Sequence, residues 1–401
     1  MPDIHFNKNA GKNSHPYDYD DFEDISSYSD SEPGSIRMKD GKVVRRVPSP
    51  GHPEYRGERD INSGSGGNGN GPVKRNKSRR KRHKGTRTLF TILLILALIY
   101  VGIANIVFGK LDYAPDEHQK NPYVSSSELM SSPSVKNILL LGVDAREGET
   151  TSRSDTMMLV SIDSRHRKIK LTSFLRDSYV NIPGNGMNKL NAACAFGGVP
   201  LVIQTLEYNY GVKIDYYMSV NFKTFVSLID ALGGVNVPVT ENEAGFLNMH
   251  KADWNVTENS DSRLEYTSGD DVHLNGEQAL KFCRIRELDS DIMRAKRQRI
   301  VISAVKNSAM HMTPSKLIEI SKKVTPLVKT DINKYEMTNL ALKALISYRK
   351  YDIEQTSIPK KGSWHDETNN SGMVLAFNIP ENAQYLKDFI YNDVPPAEEK
   401  E

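Results

Sequence analysis

Cysteine is almost missing from this chain: 401 residues hold two, Cys194 and Cys283. A disulfide framework is excluded, and one bridge between them stays open without support, because spacing in sequence does not establish proximity. The expected state is two small, buried, apolar side chains. No CxxC or His-rich spacing offers a structural zinc site. Charge of one sign is not in excess, the net being +3. No helix-turn-helix pattern precedes Thr88, which argues against direct DNA binding. No histidine pairs with an evident nucleophile, and no internal repeat is visible. Long apolar runs are absent too, with one exception.

The near-zero net charge conceals two opposite blocks. Asp18 to Glu32 is acidic and Ser-rich, whereas KRNKSRRKRHKGTR, Lys74 to Arg87, is almost solidly basic. Residues 1–73 lack periodicity and end in SGSGGNGNGP, so they read as a disordered cytoplasmic tail that buries too little apolar surface to order itself. Thr88 to Gly109, TLFTILLILALIYVGIANIVFG, carries no charged side chain and is long enough for a bilayer core. The basic block (74–87) before it and the single Lys110 after it put the N-terminus inside by the positive-inside rule. The long preceding tail speaks against a cleaved signal peptide. The run is expected to be a retained signal anchor of a single-pass type II protein in the cell membrane. The basic block then serves topology and anionic lipid heads rather than nucleic acid.

A polar linker (110–135) leads to one domain (136–392) and an acidic C-terminal tail (393–401). VKNILLLGVD, DTMMLVSID and KIKLTSFL read as strands, the last two joined by a basic turn at Ser164 to Lys168. Asn188 to Asn209 is mostly helical, interrupted near Gly197-Gly198. IDYYMSVNF predicts a strand, FKTFVSLIDAL a helix stopped by Gly233-Gly234, and VNVPV a short strand. A polar insertion of low periodicity, Glu241 to Asp271, follows. Next come a helix at Asn275 to Leu280, a strand KFCRIRE and a long helix from Asp289 to Met310. Helices at Pro314 to Lys323 and Lys334 to Tyr348, a strand at Asp352 to Ile358 and a helix at Ala383 to Tyr391 complete the domain. This interleaving predicts an α/β fold, a central mixed β-sheet flanked by helices.

Asp144 ends the first of these strands and Asp155 begins the second, so the two carboxylates could share a hard cation, although turn formation explains such residues equally well. Arg153 and Arg176 border the same loops. In KFCRIRE a period of two puts Arg284 and Arg286 on one strand face, where they repel unless an anion lies between them. In the next helix Asp291, Arg294 and Gln298 share a face, with Arg297 beside it, while Lys296 and Arg299 are expected in water. Many arginines with paired carboxylates suit an anion held with a divalent metal, and phosphoryl transfer needs that inventory. Glycoside hydrolysis by two carboxylates would not explain the arginines.

ILLLGVDAREGETTSRSDTMMLVSID, KIKLTSFLRDSYVNIPG, NKLNAACAFGG and HLNGEQALKFCRIRELDSDIMRAKRQR resemble the LytR-CpsA-Psr family over nearly all of 136–392. The resemblance implies an extracellular, membrane-tethered phosphotransferase of Gram-positive bacteria. It would move a glycopolymer from undecaprenyl pyrophosphate to peptidoglycan with formation of a phosphodiester. By motif position, Asp144 and Asp155 would hold Mg²⁺, with Mn²⁺ an alternative. Arg153, Arg176, Arg284 and Arg286 would clamp pyrophosphate, and Asp291 would complete the catalytic set. Lys189, Gln298, Arg294 and Arg297 would line or support the substrate pocket. The apolar helices at Leu201 to Leu206 and Phe222 to Leu232 are candidates for a lipid channel. Two other readings stay open: a polyprenyl-pyrophosphate phosphatase, and a cell-envelope transcriptional regulator.

Overall fold

A computed structural model describes residues 37–39, 42–44, 84–143, 154–250 and 265–396. The chain divides into two units, Met1–Arg80 and Lys81–Glu401. In the first, β1 (Arg37–Lys39) pairs antiparallel with β2 (Lys42–Val44), a short ladder within the segment expected to lack regular structure. The remainder of that segment, most of the basic block and residues 397–401 lie outside the described residues.

The second unit opens with α1 (Lys84–Phe108), which contains the apolar window Thr91–Phe108. A helix satisfies all its backbone groups internally, as a bilayer demands. There follow β3 (Asp112–Tyr113), β4 (Val135–Val143), β5 (Ser154–Asp163), β6 (Lys168–Phe174), and the hairpin of β7 (Tyr179–Ile182) and β8 (Gly186–Lys189). After α2 (Ala192–Tyr210) come β9 (Tyr216–Val220), α3 (Phe222–Leu232), β10 (Val235–Val239), α4 (Glu241–Met249), β11 (Gly269–Leu274), α5 (Gly276–Arg284) and α6 (Asp291–Met310). The chain closes with α7 (Pro314–Val324), β12 (Lys329–Thr330), α8 (Lys334–Ile346), β13 (Asp352–Ile358), the hairpin of β14 (Trp364–Asn369) and β15 (Gly372–Phe377), and α9 (Ile379–Tyr391).

The central sheet is mixed, in the order β13-β6-β5-β4-β9-β12-β3. β4 lies antiparallel to β5 and parallel to β9, with Leu139 opposite Leu159 and Tyr217. Alternation along β4 sends Leu139 and Leu141 into a core with α2 and α9, and Ile138 and Leu140 into a core under α8. This is the helix-flanked mixed sheet expected. A separate core joins α3, β10, β11, α5 and α6 through Ile229, Val235, Phe282 and Val301. The interruption in α2 falls where expected: Gly198 at φ 62° occupies left-handed backbone that favours glycine. Cys194 and Cys283 are both buried and form no disulfide. Burial pushes the Cys283 thiol up to about 12, so it stays protonated and inert.

Three expectations are corrected. KFCRIRE forms no strand. Asn275 and Gln278 cap one another's backbone N–H groups, which starts α5 and carries it to Arg284. Ala279, Phe282 and Cys283 then fall at helical spacing on one buried face, where a period of two had separated Phe282 from Cys283. Arg284 therefore ends a helix and Arg286 lies in the loop beyond it, so they share no strand face. The polar insertion starts as α4, set by a capping box between Thr240 and Glu243, while 251–264 lie outside the described residues. Arg299 does not reach water; it is 1% exposed. Its Nη1 donates to Ser173 Oγ at 3.1 Å and its Nε to Gln355 Oε1 at 3.3 Å, fastening α6 to β6 and β13. Those acceptors are what let a guanidinium be buried. Lys296 is half-buried.

At the end of β5 remote from Asp155, Lys170 is wholly buried between Asp163 Oδ2 at 3.1 Å and Asp393 Oδ1 at 2.9 Å. His166 Nδ1 lies 2.6 Å from Asp163 Oδ2, and Lys168 pairs with Asp393. Burial pushes the Asp163 carboxyl up, but hydrogen bonds from His166 and Lys170 outweigh it and hold the group below its ordinary value of 3.8. A carboxylate held low in the folded state stabilises fully above its unfolded pKa, and that stability is lost as pH falls through the lowered value. Asp163→Asn is expected to cost about 3–5 kcal/mol at neutral pH, the range for breaking a buried pair. It should also flatten the acid limb of the stability curve below pH 3.8. Urea unfolding of the detergent-solubilised chain across pH measures both, and an unchanged midpoint at neutral pH overturns the assignment.

Candidate active site at one end of the sheet

Four segments converge where β5 begins and β6 ends. Asp155 is the second residue of β5, and Arg176 and Asp177 follow β6 directly. Lys189 ends β8, brought back by the hairpin register that sets it opposite Tyr179. Asp291 is the first residue of α6, behind the cap in which Ser290 Oγ accepts from Met293 N–H. A carboxylate there is favoured by the helix's positive end. The backbone N–H of Leu375 in β15 donates to the Asp177 carbonyl at 2.9 Å, so the second hairpin braces the same corner.

Arg176 is the hub. Its Nη1 donates to Asp155 Oδ1 at 3.2 Å, and its Nε to Asp177 Oδ2 at 3.2 Å and Asp291 Oδ2 at 3.1 Å. Lys189 Nζ pairs with Asp177 Oδ1 at 2.9 Å. Asp291 Oδ1 is approached by Arg294 Nη1 at 3.3 Å and Arg286 Nε at 3.4 Å. Arg294 Nη2 also donates to the Asp155 carbonyl at 3.2 Å. Among the described residues, four cations thus meet three carboxylates, an excess of one positive charge. Arg286 is 56% exposed, so the excess charge opens to solvent.

The ionisation of these groups follows from burial and neighbours. Burial pulls the Arg176 guanidinium down, but Asp291, Asp177 and Asp155 outweigh it and hold it above its ordinary value. Burial dominates at Arg294 and holds it below its ordinary value despite Asp291. Asp177 is pushed up by burial but held below the usual range by the Lys189 hydrogen bond and the Arg176 charge. Among the described residues, Asp291 Oδ1 is held only by its two long guanidinium contacts and Arg294 Nε has no hydrogen-bond partner, although both atoms are buried.

The expected site residues do not all meet here. Asp155, Arg176, Lys189, Arg286, Asp291 and Arg294 form the cluster. Arg284 ends α5 with its guanidinium 4.8 Å from the Phe222 ring centroid, a cation–π contact. Gln298 is half-buried on the α6 face of Asp291. Arg297 points away: it is 2% exposed, with Nε on Glu243 Oε1 at 2.6 Å and its Nη atoms on Asp289. Its donors tie α6 to α4 and to the loop before it, a structural role. Asp144 and Arg153 lie outside the described residues. Asp177 was missed, although its place beside Arg176 in LRD was the available signal.

For a divalent cation, the oxygen donors fit. The Asp155 carboxylate is 42% exposed, with its second oxygen open to a cation, whereas Asp291 is already held by Arg176, Arg286 and Arg294. Asp163, His166 and Asp393 also bring ligand-type atoms within 4.8 Å of one another. There, however, Lys168 and Lys170 already occupy the carboxylates.

The LytR_cpsA_psr family model matches residues 107–387. This chain belongs to that family. A polyisoprenyl-teichoic acid–peptidoglycan teichoic acid transferase, TagU of Oceanobacillus iheyensis, is 34% identical over 316 residues, covering 74% of this chain and 91% of the relative. The Staphylococcus aureus protein called regulatory protein MsrR is 32% identical over 261 residues, 64% of this chain and 75% of that one. The solved structure described as "TagT bound to LIIa-WTA" superposes with a TM-score of 0.55 at 25% identity, covering 67% of this chain and 96% of its own.

Removing the Asp177 carboxylate frees Lys189 and Arg176 to meet an external anion. One unit charge at about 4 Å in a watery setting is worth about 1 kcal/mol. Asp177→Asn is therefore expected to tighten binding of inorganic pyrophosphate about fivefold at low ionic strength, a gain that shrinks as salt rises. Calorimetry at two salt concentrations measures it; an unchanged affinity at both overturns the charge assignment.

Proposed function

We propose that this chain is a membrane-anchored phosphotransferase that moves a glycopolymer of the teichoic acid or capsule type from undecaprenyl pyrophosphate to peptidoglycan. One observation carries the reading: a net-positive cluster built round Arg176, at the end of the sheet, in a domain tethered directly behind an apolar helix. Polyprenyl-linked donors are confined to a membrane, so an anchored enzyme shares a surface with its substrate. The proposed orientation keeps the basic block (74–87) in the cytoplasm and the catalytic domain (136–392) outside.

In this reading Arg176, Arg286 and Arg294 bind the pyrophosphate oxygens, and Lys189 supplies a further cation. The acceptor hydroxyl attacks the sugar-side phosphorus. A new O–P bond forms, the bridging P–O bond breaks, and undecaprenyl phosphate departs with its electron pair. The acceptor proton passes to a carboxylate of the cluster, Asp155 or Asp291. Asp155, with Asp144 by family motif, would hold Mg²⁺ or Mn²⁺, which when bound offsets charge on the phosphate oxygens. The guanidiniums neutralise charge growing on the leaving phosphate, the usual source of rate in phosphoryl transfer.

Arg176→Ala is expected to lower transfer from a lipid-linked oligosaccharide to peptidoglycan by about 10²–10³-fold, as for loss of one preorganised charge-stabilising donor. Normal turnover by that variant refutes the site. Product analysis separates the transferase from a phosphatase, since a phosphodiester-linked glycan is expected rather than free polymer phosphate.

A regulatory reading is favoured by the name of the S. aureus relative. Deleting residues 1–72 while keeping the basic block separates the two. A transferase should still attach polymer to the wall, whereas a regulator acting through its tail should lose its effect.

A further inference from the structure

The anchor helix and the domain are not simply joined end to end. Ala104, Val107 and Phe108, in the last turn and a half of α1, are buried against the domain. Lys334 Nζ, at the start of α8, donates to Asn105 Oδ1 at 2.6 Å. One further turn back along α1, the Tyr100 hydroxyl lies 2.9 Å from both the Tyr335 carbonyl and Asn339 Oδ1. The Tyr100 and Tyr335 rings stack with centroids 6.4 Å apart. The order of these contacts shows that α8 runs antiparallel to α1, back towards the anchor's N-terminal half.

On α8, Tyr335, Asn339, Leu342 and Ile346 stand at i, i+4, i+7 and i+11, one continuous stripe. Its first half meets α1 as described, while Met337 and Leu340 face the sheet core. Its second half carries exposed apolar side chains, Leu342 at 39%, Leu345 at 36% and Ile346 at 69%. On α1 the positions beyond Tyr100, Leu96 and Leu93, are 55% and 56% exposed. A contiguous exposed apolar patch on a folded domain marks an interaction surface. Continuity with a membrane helix identifies the partner as lipid. Lys343 lies exposed between Leu342 and Leu345, with a stem long enough to carry its charge towards anionic head groups. Arg349 and Lys350, also exposed, follow the helix end. Stacked tyrosines suit the membrane–water boundary, where their apolar rings and polar tips are both satisfied.

We propose that the C-terminal half of α8 is embedded in the bilayer interface beside the anchor, with the Tyr100–Tyr335 pair at head-group level. The inference rests on reading α1 as a membrane anchor. It moves the boundary of the span from Phe108 to Tyr100, about 12 Å along the helix at ~1.5 Å per residue. Ile346 lies eleven residues beyond Tyr335, about 16 Å along α8. It therefore sits at the depth of an interfacial amphipathic helix, about 5–10 Å, with α8 inclined away from the anchor axis. From Arg87 to Tyr100 the helix spans about 20 Å. That is short of a ~30 Å hydrocarbon core, so local thinning or snorkelling of the basic block makes up the difference.

The test uses the full chain in vesicles containing phosphatidylglycerol. Single nitroxide labels are placed at Leu342→Cys, Ile346→Cys and, as a control on the exposed β15, Met373→Cys. The native cysteines are buried and do not compete. Collisional accessibility is read with dissolved oxygen, which enters lipid, and with a water-soluble nickel chelate, which does not. The expected result is an oxygen-to-nickel ratio several-fold higher at 342 and 346 than at 373, lost at 342 when Ile346→Asp is added. Ratios at 342 and 346 equal to that at 373, in a chain that resists alkaline carbonate extraction, overturn the inference and leave the anchor standing. Release of the chain by carbonate overturns the anchor reading as well. Spin–spin broadening at 346 that survives dilution with lipid would mean that a second copy covers the patch, which also overturns it.

Discussion

Everything at the charged corner depends on Arg176 reaching three carboxylates at once. Asp155, Asp177 and Asp291 come from a strand start, the residue next in chain and a helix start, and the guanidinium fork is what holds them to one place. The reverse also holds. Arg176, Arg294 and Lys189 are each mostly shielded from water, and without those carboxylates their mutual repulsion would splay the loops. The site is thus assembled by internal ion pairs before any ligand arrives. In the proposed function, a polyanion would compete for arginines already engaged, so its gain would come from the excess of cations over carboxylates among the described residues.

The two ends of β5 show the difference between charge used for structure and charge kept available. At Asp163 the cluster of His166, Lys168, Lys170 and Asp393 is closed, and Lys170 is wholly buried in it. At Asp155 the carboxylate is 42% exposed and neighbouring polar atoms keep unused hydrogen-bonding valence. Saturated clusters stabilise and are chemically silent; unsaturated ones cost stability and can bind. The lipid-facing patch on α8 belongs to the second kind in apolar terms.

Much of the frame was legible because local periodicity and burial agreed. In β4, β5 and β6 the apolar residues run as buried strands do, and α3 ends where the Gly233-Gly234 pair predicts. KFCRIRE was not legible in the same way: a period of two groups Phe282, Arg284 and Arg286, a period of 3.6 groups Phe282 with Cys283, and seven residues are too few to separate the two. The reciprocal Asn275–Gln278 cap, which lies upstream, decides for helix. Arg299 was misplaced because its acceptors, Ser173 and Gln355, lie on β6 and β13, far from it in sequence. Lys189 was within reach only as a motif residue, since its partner Asp177 meets it through the β7–β8 hairpin.

By itself the sequence determined the apolar span, the alternation of strands and helices, and the identities of the arginines and aspartates available for anion chemistry. These are properties of composition and short-range spacing, set by the helical and strand repeats. Only the tertiary structure decided which charges pair. It turned Arg297 inward onto Glu243 and Asp289. It gave Arg176 its three carboxylates and laid α8 along the anchor helix. Ion pairing and burial depend on distances between residues on different elements, 115 positions apart for Arg176 and Asp291, and those distances exist only after the chain has closed its core.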